Sequence, residues 1–215
     1  MHGCIDVASV TKTEDGKMQT RSNNLFFTSD MHMGHKRIIE YCERPFKNVD
    51  EMNEAIINRW NEKVTSTDTV NVVGDVCFMN IVDAVNVLRR LNGTINLIKG
   101  NHDRKLLKES SFRSRFSRIE DIYELDVVDA DAPRGQKIVM CHYALKVWNK
   151  SHHGSWHLYG HSHGSLPDDP NSLAIDVGVD SNDFRQWSYE DIKAKMKMKT
   201  FKPIDKHGEC HVYAR

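Results

Sequence analysis

The chain has 215 residues, 39% of them apolar and 28% charged, a composition that fits an ordinary soluble globular protein with one substantial core. Thirty Lys and Arg balance thirty Asp and Glu, so it lacks the basic footprint of a protein that coats nucleic acid or an anionic membrane, although a local basic groove stays open. Its five cysteines (Cys4, Cys42, Cys77, Cys141 and Cys210) are scattered without a CxxC pair, which argues against a disulfide framework and makes the cytosol the simplest compartment. No apolar run approaches the roughly 18 residues of a membrane span, and the polar N-terminus lacks the apolar core of a secretory signal.

In chain order, residues 1–24 read as a loosely held extension, or as an edge strand over Cys4–Val10 followed by a turn at Glu14, Asp15 and Gly16. "LFFTS" (25–29) predicts a buried strand. Met52, Ala55, Ile56, Trp60 and Val64 recur at helical spacing behind an acidic first turn, which predicts a helix from about 50 to 64. "TVNVV" (69–73) is the next strand. A helix follows from Ile81, with Gly93 as its C′ glycine. "TINLIK" returns to strand, and "IYELDVV" with "KIVMCH" predicts an antiparallel hairpin around residues 129–135. "HLYG" and "LAIDVGV" are two further short strands. A last helix opens at Ser188, with Asp191 three residues on as a capping-box partner. Strands alternating with helices predict an α/β protein of one domain, with residues 201–215 as a tail.

Polar chemistry gathers where these strands end. "LFFTS" runs into Asp30 and His32, "TVNVV" into Gly74 and Asp75, and "TINLIK" into Gly100, Asn101, His102 and Asp103. "KIVM" runs into His142, and "HLY" into "GHSHG" (160–164). In open α/β sheets the carboxyl edge of the strands is where ligands bind. In an extended segment His161 and His163 would point the same way, and Gly160 and Gly164 permit a sharp turn or close approach to an ion.

Asp30, His32, Asp75, Asn101, His142, His161 and His163 together offer two carboxylates, one amide oxygen and four imidazoles. Such a mixed set suits Mn, Fe, Zn, Co or Ni. It is too large for one tetrahedral ion and suits two, with a carboxylate bridging ions about 3.5–4 Å apart and the pair clamping the oxygens of an in-line phosphoryl displacement.

These five ordered blocks resemble those of the calcineurin-like metallophosphoesterases, over Leu25 to about Asp180. The resemblance implies an α/β sandwich over residues 25–200, two packed, mostly β sheets with helices outside and a two-metal site at the edge. It assigns Asp30, His32 and His163 to the first metal, Asn101, His142 and His161 to the second, and Asp75 to the bridge. A metal-held hydroxide would attack phosphorus while His102 protonates or stabilises the leaving oxygen, a role an imidazolium can fill near neutral pH. "GHKRIIEYCERPF", "IKGNHDR" and "DVGVD" resemble a small bacterial and phage-type branch of predicted phosphoesterases. The chain departs from the protein-phosphatase branch, whose GDxxDRG carries a second acid that orients the histidine; here Phe78 stands at that position. Asp103 is adjacent to His102 without an assigned role.

The implied activity is hydrolysis of a small phosphodiester or phosphomonoester. A nuclease or cyclic-nucleotide phosphodiesterase is the alternative, which leaves nucleotide or nucleic-acid substrates open. A metal-binding module without turnover is disfavoured by the intact ligand set and His102. His35, Asn101 and Arg104 are the candidates for substrate contact. Arg104 heads a basic run with Lys105, Lys108, Arg113, Arg115 and Arg118 that steers phosphate or merely faces solvent. The stretch from His142 to His157 is expected to wall the pocket. Within and near it, His152, His153 and His157 have no demanding spacing, and Trp148 and Trp156 read as packing residues. Cys77 and Cys141 read as apolar packing, and Asp176 and Asp180 as partners to imidazoles that no spacing rule selects.

Overall fold

The computed structural model describes residues 24–205, together with the backbone of Thr11–Lys12 and Met18–Arg21. The expected strand over Cys4–Val10 and its following turn lie outside the described residues. Thr11–Lys12 (β1) and Met18–Arg21 (β2) pair antiparallel, and β2 lies parallel to β7 (Ile122–Val128). The expected hairpin forms as β7 against β8 (Gln136–Cys141), and β9 (Trp156–Tyr159) and β10 (Ala174–Asp176) continue parallel to β8. These strands make a six-stranded sheet. A second sheet of five strands has the order β11-β3-β4-β5-β6, built from β3 (Leu25–Thr28), β4 (Thr69–Val72), β5 (Thr94–Ile98), β6 (Arg118–Glu120) and β11 (Trp187–Ser188). It is parallel except at β11. The result is a mixed α/β domain of two mixed sheets flanked by helices.

Strand alternation divides the apolar residues between two cores. Leu25 and Phe27 of β3 join Leu125, Val127, Ile138, Met140, Leu158 and Ile175 between the sheets. Val70 and Val72 of β4 face the other way, onto Met52, Ile56 and Trp60 of α2 (Val49–Lys63) and Leu88 of α3 (Ile81–Arg89). Helix α2 starts where Asn48 accepts a hydrogen bond from the Glu51 amide at 2.9 Å. The capping box of α5 (Tyr189–Lys197) forms as its sequence predicts, from Ser188 and Asp191.

One terminus differs from expectation. Helix α3 ends at Arg89, not beside Gly93, because the amides of Arg90 and Leu91 bond back only three residues, to Val87 and Leu88. Gly93, at φ +87°, instead serves the turn into β5, where a Cβ would press on the Asp68 carbonyl.

The parallel strands place the site. Strands β3, β4 and β5 share one direction, so the residues after them, Asp30, Asp75 and Asn101, leave from one edge. Strands β8 and β9 likewise release His142 and Gly160 together. The two edges are stitched by a bridge between Ser29 and Gly178, by the His161 amide donating to Asp30 Oδ2 at 2.8 Å, and by His142 Nδ1 at 2.7 Å from the Val73 carbonyl; within each edge Ser29 Oγ donates to the Val73 carbonyl at 2.6 Å and the Gly160 amide to the His142 carbonyl at 3.0 Å. Among the described residues no helix is long and apolar enough to cross a membrane, and Cys42, Cys77 and Cys141 are unpaired.

Candidate metal centre

Strand ends alone do not aim side chains; the turns after them do. Five of the seven candidate ligands have left-handed backbones: Asp30 (φ 55°), His32 (49°), Asp75 (55°), His161 (66°) and His163 (49°). Each such non-glycine residue costs about 1–2 kcal/mol, strain of the kind that gathers at functional sites. The segment after β9 is therefore not extended. Ser162 N bonds the Gly160 carbonyl at 2.7 Å, and His161 and His163 go to different partners rather than to one. The flanking glycines serve separate ends: Gly164 (φ +74°) has open space around it and needs only the backbone angle, whereas a Cβ on Gly160 would collide with Ser29 and the Asp30 carboxylate.

Asp30, His32 and His163 form one group whose donor atoms all lie within 4.8 Å of one another. Asp30 and His32 are buried. Asp30 Oδ2 accepts from the His161 amide at 2.8 Å. Asp30 Oδ1 and both ring nitrogens of His32 are buried without a hydrogen-bond partner among the described residues. Burial raises the Asp30 pKa to about 7 and pushes that of His32 down to about 3. His163 Nδ1 lies 2.7 Å from Asp180 Oδ2, which makes that nitrogen the N–H and leaves Nε2 3.9 Å from Asp30 Oδ1.

Asp75, His142 and His161 form a second such group. His142 Nδ1 donates to the Val73 carbonyl at 2.7 Å, so Nε2 is its free nitrogen. That atom faces Asn101 Oδ1 at 3.0 Å and Asp75 Oδ2 at 3.4 Å. Burial opposes charge on His142, yet the Asp75 carboxylate outweighs it and raises the pKa to about 9. Asp75 is held below the usual carboxylate range: burial acts against this, and His142 and the His102 amide overcome it. His161 is exposed, its ring 5.2 Å from that of His142.

Asp75 stands between the groups. Its Oδ2 is 3.6 Å from His32 Nε2 and 3.4 Å from His142 Nε2, while Oδ1 accepts from the His102 amide at 3.0 Å. A cluster of lone pairs converging on one another, several buried and unpartnered, is what divalent cations satisfy and water-filled loops do not. The residues present fit divalent metal.

Around this cluster the structure adds residues that spacing did not select. Arg44 is buried, with Nη2 donating to the Asp30 carbonyl at 2.8 Å, Nη1 to the Met31 carbonyl at 3.0 Å, and Nε to Asp180 Oδ1 at 2.8 Å. The chain Arg44–Asp180–His163 thus fixes one imidazole through a carboxylate. Nothing local marks Arg44 beyond its place in the "ERPF" stretch, 136 positions from Asp180. Asp176 instead accepts from the Gly164 and Gly178 amides at 2.9 and 2.7 Å. Asp103, fully buried, accepts from the amides of Asp75, Val76 and Gly100 at 3.0, 3.0 and 2.8 Å. It ties two of the loops together and leaves the His102 ring alone. Burial raises its pKa despite those three donors.

His102 is 43% exposed, with Nε2 4.0 Å from Asp75 Oδ2 and its ring 4.7 Å from that of Phe78. His35 stacks on the same Phe78 ring at 4.2 Å and 17°, rather than capping α1 (Ile38–Tyr41). Arg104 is exposed, and among the described residues no hydrogen bond or ion pair ties it to the cluster. Of the basic run, Arg113 and Arg115 bond backbone carbonyls and Arg118 lies over Tyr123, so half of it is packing. His157 is fully buried between the Val139 carbonyl and the Leu145 amide. Trp156 packs on Tyr189, and Trp148 bonds the Ser155 carbonyl. In the stretch from His142 to His157, Ala144, Leu145, Lys146, Trp148 and Ser151 wall a different cavity of about 530 Å³, lined also by Leu166 and Phe201 and containing none of the candidate ligands. From that stretch only its first residues, His142 and Tyr143, reach the centre.

Two sheets release acids and imidazoles onto one edge, and the chain belongs to the calcineurin-like phosphoesterase superfamily, whose domain matches residues 24–176. Membership implies metal-dependent phosphoester hydrolysis. Among particular relatives, the chain is 31% identical over 173 residues to the uncharacterized protein MJ1445 of Methanocaldococcus jannaschii, covering 77% of this chain and 87% of that one. It is 33% identical over 84 residues to the gene 66 protein of Mycobacterium phage L5, covering 38% of this chain and 40% of that one. The fold is shared with a protein of unknown function, AQ665, from Aquifex aeolicus, at a TM-score of 0.57 and 20% identity, covering 79% of this chain and 97% of that one.

Proposed function

We propose that the protein is a two-metal phosphohydrolase acting on a small phosphate ester. The observation that carries this is the position of Asp75, with one carboxylate oxygen within 3.6 Å of a ring nitrogen from each donor group. Asp30, His32 and His163 would hold one ion and Asn101, His142 and His161 the other, with Asp75 the carboxylate they would share. Mn, Fe, Zn, Ni or Co suits this nitrogen–oxygen set. When bound, the ions neutralise charge on the phosphoryl oxygens and make water nucleophilic at neutral pH.

The chain's own residues do the rest. His102, on the open side of Asp75, delivers a proton to the departing oxygen. Its backbone is held by Asp75 and its ring rests against Phe78, so an aromatic contact replaces the orienting acid of the protein-phosphatase branch. Asn101 and His35 face the ester, and Arg104 supplies positive charge at the rim. The unpaired cysteines fit a reducing, cytosolic compartment.

The test is hydrolysis of matched nitrophenyl and alkyl diesters and monoesters by metal-stripped protein, with single metals restored in turn. Metal-dependent turnover is expected, and His102→Ala lowers it by about 10²–10⁴-fold on the alkyl ester. The nitrophenyl ester, whose leaving group needs no proton, is expected to lose far less. Equal losses on both esters exclude His102 as the acid; no turnover with any metal sinks the hydrolase reading.

A further inference from the structure

Six of the seven candidate ligands are fixed by a protein neighbour. His142 and His163 donate from Nδ1, to the Val73 carbonyl and to Asp180. Asp30 and Asp75 accept the amides of His161 and His102, and Asn101 Oδ1 faces His142 Nε2. The buried His32 ring is boxed by those of His35, Phe78, His102 and His163. His161 is the exception. The residue is exposed, its backbone sits at φ 66°, and among the described residues no hydrogen bond reaches either ring nitrogen. Histidines that bind metal are ordinarily aimed by a hydrogen bond from their second nitrogen, and a ring left free would lose rotamer freedom on binding.

What meets the His161 ring is Tyr143. Three rings stand edge to face: Tyr143 and His161 at 4.9 Å and 68°, Tyr143 and His142 at 5.2 Å and 71°, and His142 and His161 at 5.2 Å and 68°. This is the spacing and tilt that aromatic pairs favour. The base beneath Tyr143 is firm. His157, fully buried and outside both donor groups, donates from Nδ1 to the Val139 carbonyl and accepts the Leu145 amide at Nε2, each at 3.0 Å, which fixes the turn after His142. An exposed tyrosine by itself needs no explanation, but this one is wedged against both imidazoles of a donor group. We propose that Tyr143 is the positioning residue of that group: its ring, in place of a hydrogen bond, holds the His161 imidazole beside His142 before metal arrives. The inference rests on the two-metal reading for what His161 does, but the order of the His161 ring is measurable without metal.

The experiment measures carbon relaxation of the His161 ring in the metal-free protein, with His161→Ala to assign the signal, and then titrates each protein with Mn. In the wild type the ring order parameter is expected near about 0.85, the value of a rigid group, and in Tyr143→Leu below about 0.6. Tyr143→Phe keeps the ring and is expected to match the wild type. Tyr143→Leu is also expected to weaken one Mn equivalent by about 2- to 12-fold, what one aromatic pair contributes, and to leave the other unchanged; the weakened equivalent is the one that His161→Ala loses. A mobile His161 ring in the wild type overturns the positioning role with no variant needed, and so does a ring that stays ordered in Tyr143→Leu. Loss of order in Tyr143→Phe assigns the work to the hydroxyl and overturns it as well. A single Mn equivalent in the wild type, with ring order dependent on Tyr143, sinks the two-metal reading and leaves Tyr143 as the residue that holds His161. Two equivalents with ring order independent of Tyr143 do the reverse.

Discussion

The two donor groups are built by opposite means. Around His142 every atom is engaged: one nitrogen on the Val73 carbonyl, the other facing Asp75 and Asn101. Around His32 both ring nitrogens and one Asp30 oxygen are buried without partners. A proton can settle the first group, as the raised pKa of His142 records. In the second, burial drives Asp30 towards the neutral acid and keeps His32 uncharged; the pKa of His163 is raised there, burial opposing and Asp180 and Asp30 prevailing, yet the His32 nitrogens stay unpartnered. The Asp30 side is thus the more dependent on a cation, and it is the side braced from behind by Arg44 and Asp180.

The largest expected effect breaks both groups at once. Asp75→Ala removes the shared carboxylate, and activity is expected to fall by more than about 10³-fold with loss of bound metal, read by turnover and metal analysis. Asp103→Ala is expected to destabilise the fold by roughly 2–4 kcal/mol in denaturant unfolding, since it strands three buried amides. A loss under about 0.5 kcal/mol would show that water replaces the carboxylate. Asp180→Asn sharpens the comparison: it weakens metal binding at the Asp30 side by about 10- to 100-fold and leaves the His142 side intact, which titration of two metal equivalents would resolve.

A pH experiment tests the same asymmetry. The Asp30 pKa is raised from 3.8 to about 7, so its contribution to metal-free stability is present below about pH 4 and is lost as pH rises through about 7. Asp30→Asn is therefore expected to raise the metal-free melting temperature near pH 8 by about 2–4 °C for each kcal/mol recovered, while abolishing binding of the ion that Asp30 holds. A lower melting temperature would show that the carboxylate is already satisfied without metal. The smallest effect lies far from the centre. Asp129 accepts from Tyr189 and Lys193 at 2.8 Å each, clamping α5 to the β7–β8 hairpin. Burial acts against its charge, but those partners hold its pKa down to about 2. Its contribution is present above about pH 4 and fades towards pH 2, so Asp129→Asn costs about 1 kcal/mol at pH 7 and progressively less as acid is added.

Much of this was legible in the chain. Strands predicted at 25–29, 69–73 and 94–99 and the 122–142 hairpin formed, because short apolar runs bounded by turn residues leave little choice of period. All seven candidate ligands gather at one edge because parallel strands share a direction, and each carries its polar residue just past its end. The end of α3 falls at Arg89 and not beside Gly93, because a glycine marks a turn without saying which one. Alternation along an extended chain would point His161 and His163 the same way, whereas both sit at positive φ and join different groups.

Local pattern determined which residues leave the sheets at the carboxyl edge, since side-chain period and strand length are properties of a few consecutive residues. Only the tertiary structure decided which of them meet, that Arg44 and Asp180 brace His163 across 136 positions of chain, and that Asp103 fastens loops instead of orienting His102. Contacts between residues so far apart are set by how two sheets pack and twist against each other, and nothing in a local window carries that information.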